Sequence, residues 1–301
     1  MNKGIVLVFC TALISGFSIF INSFGVKGFD SSVFTFSKNI IVAVSLFAIL
    51  LGIGNWKELK NLTKNQWLKL TVIGLAGGSI PFLLFFKGLQ MTTGAAGSFI
   101  HKTMFVYVAV FAMIFLKEKM TKGILAGAIL LMGGTYVMIQ PELKFSLGNL
   151  LILAATLFWA IENTLAKYVL RDLSGTTVAF GRMFFGSVFI LAFLSAAGKI
   201  SILFSVSTSQ WTWILISDVF LLLYVLTYYN GLKFIKVTTA AAILTLGAPI
   251  TTILSWSFLG ATVTINEAAG MLLIVTGIIL IVRLSEHPPS TALKAKGYGW
   301  A

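Results

Sequence analysis

The stretch "GAAGSFIHKTMFVYVAVFAMIFLKEKM", residues 94–120, places His101 and Lys102 side by side inside an otherwise apolar run. Two carboxylates stand in similar surroundings: Glu162 in "TLFWAIENTLAKY" and Asp218 in "WILISDVFLLLY". An ionisable group at bilayer depth costs several kcal/mol unless it is paired or hydrated, so each of these marks a cavity or a pathway. Counted along their runs, Lys102 and Asp218 sit at a similar level, each about 4.5 Å from the centre, and Glu162 lies roughly 6 Å to the other side. A Lys102–Asp218 ion pair is therefore geometrically allowed. It could be structural or part of a binding site, and the sequence leaves both readings open.

His101 and Lys102 are about 100° apart around one helix, so one is expected to face a cavity and the other a neighbouring helix. Glu162 lies one turn from the indole of Trp159, and a carboxylate beside an indole suits a substrate ammonium by charge pairing and cation–π attraction. Asn163, Tyr224 and Tyr228 could donate and accept hydrogen bonds in such a cavity, or tie helices together. Pro81 and Pro249 free backbone carbonyls inside their runs and are candidate kinks or hinges.

Several chemistries find no residues. The chain has two histidines, one of them within an apolar run, and lacks the His-Glu-x-x-His and Gly-x-Ser-x-Gly patterns of metal and serine hydrolases. Cys10 is the only cysteine, which excludes an intramolecular disulfide and a cysteine metal cluster. No glycine-rich stretch has the spacing of an ATP-binding loop. No metal, no cofactor and no enzymatic activity are expected.

The elements that must position these residues are membrane helices. Of 301 residues, 58% are hydrophobic and 10% charged, a balance foreign to soluble domains. Apolar runs recur at about 4–26, 33–53, 70–90, 94–116, 122–140, 148–169, 178–197, 212–232, 238–259 and 267–284, which predicts an all-α membrane protein of ten transmembrane helices. With a cytoplasmic N-terminus, fifteen basic residues fall in inside segments: Lys3, Lys57, Lys60, Lys64, Lys69, Lys117, Lys119, Lys122, Lys167, Arg171, Lys233, Lys236, Arg283, Lys294 and Lys296. Five fall outside: Lys27, Lys38, Lys87, Lys144 and Lys199. That asymmetry predicts a multi-pass protein of the cell membrane with both termini cytoplasmic. It also accounts for the net charge of +13 without nucleic acid as a partner. Membrane lipid is the expected surrounding, and Lys57, Lys60, Lys64 and Lys69 are read as topology determinants and headgroup contacts.

The chain also repeats itself. At an offset of 143, Gly88-Leu89 matches Gly231-Leu232, Ile100 matches Ile243, Phe115-Leu116 matches Phe258-Leu259, Thr121 matches Thr264, and Gly127 and Gly134 match Gly270 and Gly277. Upstream, at 144, Gly4 meets Gly148, Leu13 meets Leu157, and "FSK" at 36–38 meets "FGR" at 180–182. This divides the chain into a five-helix repeat at 1–140, a second at 141–284 and a polar, disordered cytoplasmic tail at 285–301. Five is odd, so the second copy enters the membrane from the opposite side, giving a 5+5 inverted repeat. Alternating-access carriers are built this way, with a midplane site between the halves.

With this duplication, the stretch "FLKEKMT" at 115–121 and the Pro-containing "LTLGAPITTILSWSFLG" at 244–260, the sequence resembles the drug/metabolite transporter superfamily, specifically its EamA-type ten-helix carriers. Lys38 and Arg182, opening helices two and seven, fit the same pattern. Ala261 stands where the second repeat of that family carries a Glu, and Val106 stands where Pro249 has its first-half counterpart. The resemblance implies that helices 5 and 10 are peripheral and that helices 1, 3, 4, 6, 8 and 9 line the cavity.

The expected function is secondary transport of a small polar metabolite by alternating access, most simply export of an amino acid or related zwitterion. Glu162 or Asp218 would take its ammonium, and Lys102 or His101 its carboxylate. Energy would come from the solute gradient, a proton gradient or the membrane potential. The alternative is an organic-cation or drug carrier, for a quaternary or choline-like amine, using Glu162 and nearby aromatics. An intramembrane enzyme and a channel are more distant readings. Substrate identity, direction, coupling ion and oligomeric state are not legible.

Overall fold

In hydrocarbon an apolar run can satisfy its backbone only within itself or in a closed barrel, and these runs lack the alternation a barrel needs. The computed structural model describes residues 2–25, 29–142 and 144–286, and among them it contains helices and no strands. Ten are long and apolar enough to span a membrane: α1 (Lys3–Asn22), α2 (Ser31–Gly52), α3 (Lys64–Leu89), α4 (Gly94–Phe115), α5 (Lys122–Ile139), α6 (Leu147–Val169), α7 (Gly175–Ala196), α8 (Thr208–Leu232), α9 (Val237–Leu259) and α10 (Ile265–Ser285). Lys27 and residues 287–301, including Lys294, Lys296 and nearly all of the expected tail, lie outside the described residues.

Some boundaries differ from those read in the sequence, for a local reason. The third and eighth helices begin at Lys64 and Thr208, several residues early, because Thr63 and Ser207 each form a capping box with a glutamine three residues on, Gln66 and Gln210. The seventh begins at Gly175, where the Ser174 hydroxyl accepts from the Thr177 N–H.

The halves pack by exchange. α1 lies against α8 as α6 lies against α3, α9 crosses α1 as α4 crosses α6, and α2–α7 and α5–α10 pair across the middle. Close crossings are made by the glycines that mark the repeat. A Cβ on Gly4 would stand 2.8 Å from the Gly231 carbonyl oxygen, and one on Gly148 would stand 2.9 Å from that of Gly88. Replacing each residue by its repeat counterpart turns the first contact into the second. The same operation turns Gly127 against Gly277 into Gly270 against Gly134, with Cβ-to-oxygen separations of 2.9 and 2.6 Å. Such mutual contacts fix a pseudo-two-fold relation between antiparallel helices, which is the inverted repeat.

Two helices are broken at equivalent places. α4 is interrupted at Thr103, between the half-helices Gly94–Lys102 and Met104–Phe115. α9 is interrupted at Thr245-Leu246, between Val237–Leu244 and Gly247–Leu259. Pro249 accounts for the second break, since it cannot donate to the Thr245 carbonyl four residues back. α3 carries a different irregularity: Gly74–Ser79 is a π-helical turn placed just before Pro81.

Candidate functional site

A cavity of about 50 Å³ lies where the two breaks meet, bordered by Ser15 of α1, His101, Lys102, Met104 and Phe105 of α4, Tyr224 of α8, and Ala241, Leu244 and Thr245 of α9. Offset by 143, His101 corresponds to Leu244 and Lys102 to Thr245, so the cavity straddles the pseudo-two-fold. Of the helices expected to line it, α1, α4, α8 and α9 do. α3 and α6 stand one layer behind, through Phe85 and Trp159, whose rings lie 5.4 and 4.9 Å from the His101 ring. α5 and α10 do not border it, as expected of peripheral helices.

Lys102 ends the first half-helix of α4, where unpaired carbonyls leave partial negative charge, worth about 0.3–1 kcal/mol to a cation and up to about 2 when partly buried. Among the described residues its ammonium has no hydrogen-bond or ion-pair partner. His101 also borders the cavity, so the two neighbours are not divided between cavity and packing as their 100° separation suggested. The break at Thr103 ends the regular helix immediately after Lys102. His101 Nδ1 is buried without a hydrogen-bond partner among the described residues.

The Lys102–Asp218 pair does not form. Asp218 is 5% exposed, both its oxygens lack a hydrogen-bond partner among the described residues, and the cation that acts on it is Lys38 of α2. Lys38 in turn holds its ammonium 4.9 Å from the Phe34 ring. No ion pair within 4 Å joins the two among the described residues, and neither borders the axial cavity. Matching depth along two helices fixes height and not direction, which is why the sequence allowed the wrong partner.

Glu162 belongs to a second cluster, behind the cavity. It is 2% exposed, accepts a 2.6 Å hydrogen bond from Tyr229 Oη, and packs with Arg182 into the notch left by Gly77, where a Cβ would stand 2.4 Å from Glu162 Cγ and 3.0 Å from Arg182 Nε. The Gly77 carbonyl is free because residue 81, four places on, is proline. It accepts from Trp159 Nε1 and from Arg182 Nη2, both at 3.1 Å. The next carbonyl, of Gly78, accepts from Asn39 Nδ2 at 2.8 Å. The π-turn of α3 is thus held by side chains from α2, α6 and α7, in keeping with the tendency of such turns to mark functional segments. Trp159 is bound to backbone through its N–H and packed by Phe82, Phe85 and His101. Tyr228 donates to Asn163, whose amide donates to the Trp159 carbonyl at 2.7 Å. Tyr224 stacks on Tyr228 at 5.8 Å and joins this network to the cavity.

The face that carries both ends of the helical region is tied by two further carboxylates. Glu118 accepts from the Val237 N–H at 2.9 Å and the Thr238 hydroxyl at 2.7 Å, capping α9 from the other half of the chain. Glu58 accepts from the Ser174 N–H at 2.8 Å and its hydroxyl at 2.6 Å.

A ten-helix duplicated bundle with a lysine on its axis suits several carrier types, and comparison with known proteins narrows them. The profile of the EamA-like transporter family matches residues 2–140 and again residues 146–283. The chain is a member of the EamA-like transporter family. It is 25% identical over 296 residues to an uncharacterized transporter of Archaeoglobus fulgidus, covering 94% of this chain and 99% of that one. It is 23% identical over 293 residues to the uncharacterized transporter YyaM of Bacillus subtilis, covering 91% and 95%. A crystal structure with 18% sequence identity superposes with a TM-score of 0.77 over 94% of this chain and 99% of that one, which supports the fold.

For this EamA-like transporter, sequence reasoning misses the roles of Arg182, Tyr229 and Gly77. The apolar pattern puts Arg182 at the opening of its helix, whereas it and Lys38 are each the eighth residue, counted from Gly175 and Ser31. The signal is present in the chain: the two basic residues are repeat counterparts, and Pro81 singles out the Gly77 carbonyl by the four-residue rule.

Proposed function

We propose that this transporter moves a small zwitterion, an amino acid or a close relative, outward across the cell membrane by alternating access. Both termini would be cytoplasmic, and the repeats 1–140 and 141–284 would rock about the axial cavity. The observation that carries the reading is Lys102, an ammonium on the two-fold axis with no protein counter-charge within reach among the described residues. A carboxylate is the ligand that completes it, and the hydroxyls of Ser15, Tyr224 and Thr245 around the same cavity suit the ammonium end. The cavity holds only a few waters at its present volume, against the roughly 300 Å³ or more of solute sites, so α4 and α9 must part at their breaks to admit substrate.

An organic cation is the weaker reading. It would need Glu162 as counter-charge, and that carboxylate is engaged by Tyr229 with Arg182 beside it. Asp218 and Lys38, apart from the cavity, are the groups we assign to proton coupling. The test is counterflow of labelled amino acids in proteoliposomes: trans-stimulated exchange that fails in Lys102→Met is expected, and normal exchange in that variant rejects the site.

A further inference from the structure

Under the two-fold, the α4–α6 crossing corresponds to the α9–α1 crossing, and the two are filled differently. In the second, the rings of Phe20 and Phe258 meet at 6.1 Å. Their counterparts in the first are Thr164 and Phe115. With a threonine in place of a ring, the α4–α6 crossing is left with an apolar groove of about 360 Å³, whose walls include Phe111, Phe115, Ile161, Thr164, Leu165 and Tyr168. The groove opens near the face that carries both ends of the helical region, where α4 finishes at Phe115 and α6 at Val169.

Cations surround that opening. Lys69 Nζ lies 4.7 Å from the Tyr168 ring and Arg171 Cζ lies 5.3 Å from it. Lys117 follows Leu116, a groove residue just past the end of α4. On this face Glu58 is bound to Ser174 and Glu118 to the start of α9, and Asp172, next to Arg171, is the acidic group nearest to it in sequence.

We propose that the α4–α6 groove is a binding site for one anionic phospholipid, an acyl chain lying along Ile161 and Thr164 and the phosphate held by Lys69 and Arg171 above Tyr168. An apolar slot that ends under basic side chains at the interface matches both parts of such a lipid. The site faces lipid rather than the axial cavity, so it stands whether or not the substrate reading does.

Native mass spectrometry of the purified protein, offered phosphatidylglycerol or phosphatidylcholine with identical chains, tests it. Phosphatidylglycerol should be retained about tenfold better, and Lys69→Ala with Arg171→Ala should remove most of that preference. Ile161→Trp, which fills the groove from an exposed position, should reduce retention of both lipids, while Lys144→Ala, on the opposite face, should leave the preference for phosphatidylglycerol unchanged. Equal retention of the two lipids, or phosphatidylglycerol retention unaltered by either groove variant, overturns the proposal. A dimer that Ile161→Trp dissociates would also overturn it, by giving the groove to a second copy of the chain. The charge variant replaces side chains at the surface, so it decides between these outcomes even if the tryptophan variant misfolds.

Discussion

Lys102 and Thr245 occupy equivalent positions in the two halves and border the same cavity, one from the last turn of a half-helix in α4, the other from the break in α9. A duplicated fold with strict symmetry would place two lysines or two threonines there. The pair instead gives the axis a single charge on one side. Lys102→Thr should therefore weaken substrate binding about 10- to 100-fold, the loss of a charge-assisted contact. Combining it with Thr245→Lys should restore part of the affinity. Uptake and binding measured for both variants check this, and a fully active Lys102→Thr carrier would remove the lysine from the site.

Glu162 and Arg182 should behave as a structural unit. They form no ion pair within 4 Å among the described residues but share the Gly77 notch, and removing either leaves buried partners of the other unsatisfied, at a cost of about 1–3 kcal/mol. Glu162→Gln and Arg182→Gln are expected to lower the unfolding temperature sharply, and the double variant by less than the sum. Additive losses in a thermal double-mutant cycle would separate the two residues.

For Asp218 the expectation is functional. Asp218→Asn should abolish accumulation driven by a pH gradient while leaving counterflow, which needs no driving ion, within about twofold of normal. Lys38→Met should act in the same assay. Gradient-driven uptake that survives Asp218→Asn places coupling elsewhere.

At the opposite face, Asp30 caps α2 through the N–H groups of Ser32 and Val33 and meets Lys199 at 2.7 Å. Burial works to raise its carboxyl, but the hydrogen bonds from Lys199, Val33 and Ser32 together hold it below the ordinary 3.8. A carboxyl depressed on folding contributes stability that is complete above its unfolded value and is lost as pH falls through its folded value. Asp30→Ala should cost about 1 kcal/mol near neutrality. The gap between variant and parent should narrow below pH 3.8 in thermal unfolding. A gap constant across that range would mean that the cap does not depend on charge.

Much of the architecture was legible because its signals are one-dimensional. Apolar run length gave ten helices, and the paired glycines gave the duplication that the crossings then realise. What escaped needed direction around a helix. Depth brought Asp218 level with Lys102, yet Asp218 does not border the cavity that Lys102 borders, and the cation that acts on it is Lys38. Glu162 sits one turn from Trp159 as the sequence indicated, but the indole N–H turns to the Gly77 carbonyl and the carboxylate to Tyr229. The early starts of α3 and α8 were written in Thr63-x-x-Gln66 and Ser207-x-x-Gln210, and were hidden by the polar residues that follow each cap.

The glycine crossings carry a consequence for divergence. At Gly4 and Gly231, or Gly127 and Gly277, each backbone occupies the space a side chain on the other would need, and an added methyl overpacks the crossing by about 1–3 kcal/mol. No compensating change can come from within the same helix. Positions 4 and 231, 88 and 148, 127 and 277, and 134 and 270 should therefore drift as couples among descendants, each couple joining one half of the duplication to the other. Mutational drift would then be slowest at the seam and freest on the lipid-facing flanks, so the record of the ancestral duplication persists longest where the halves touch.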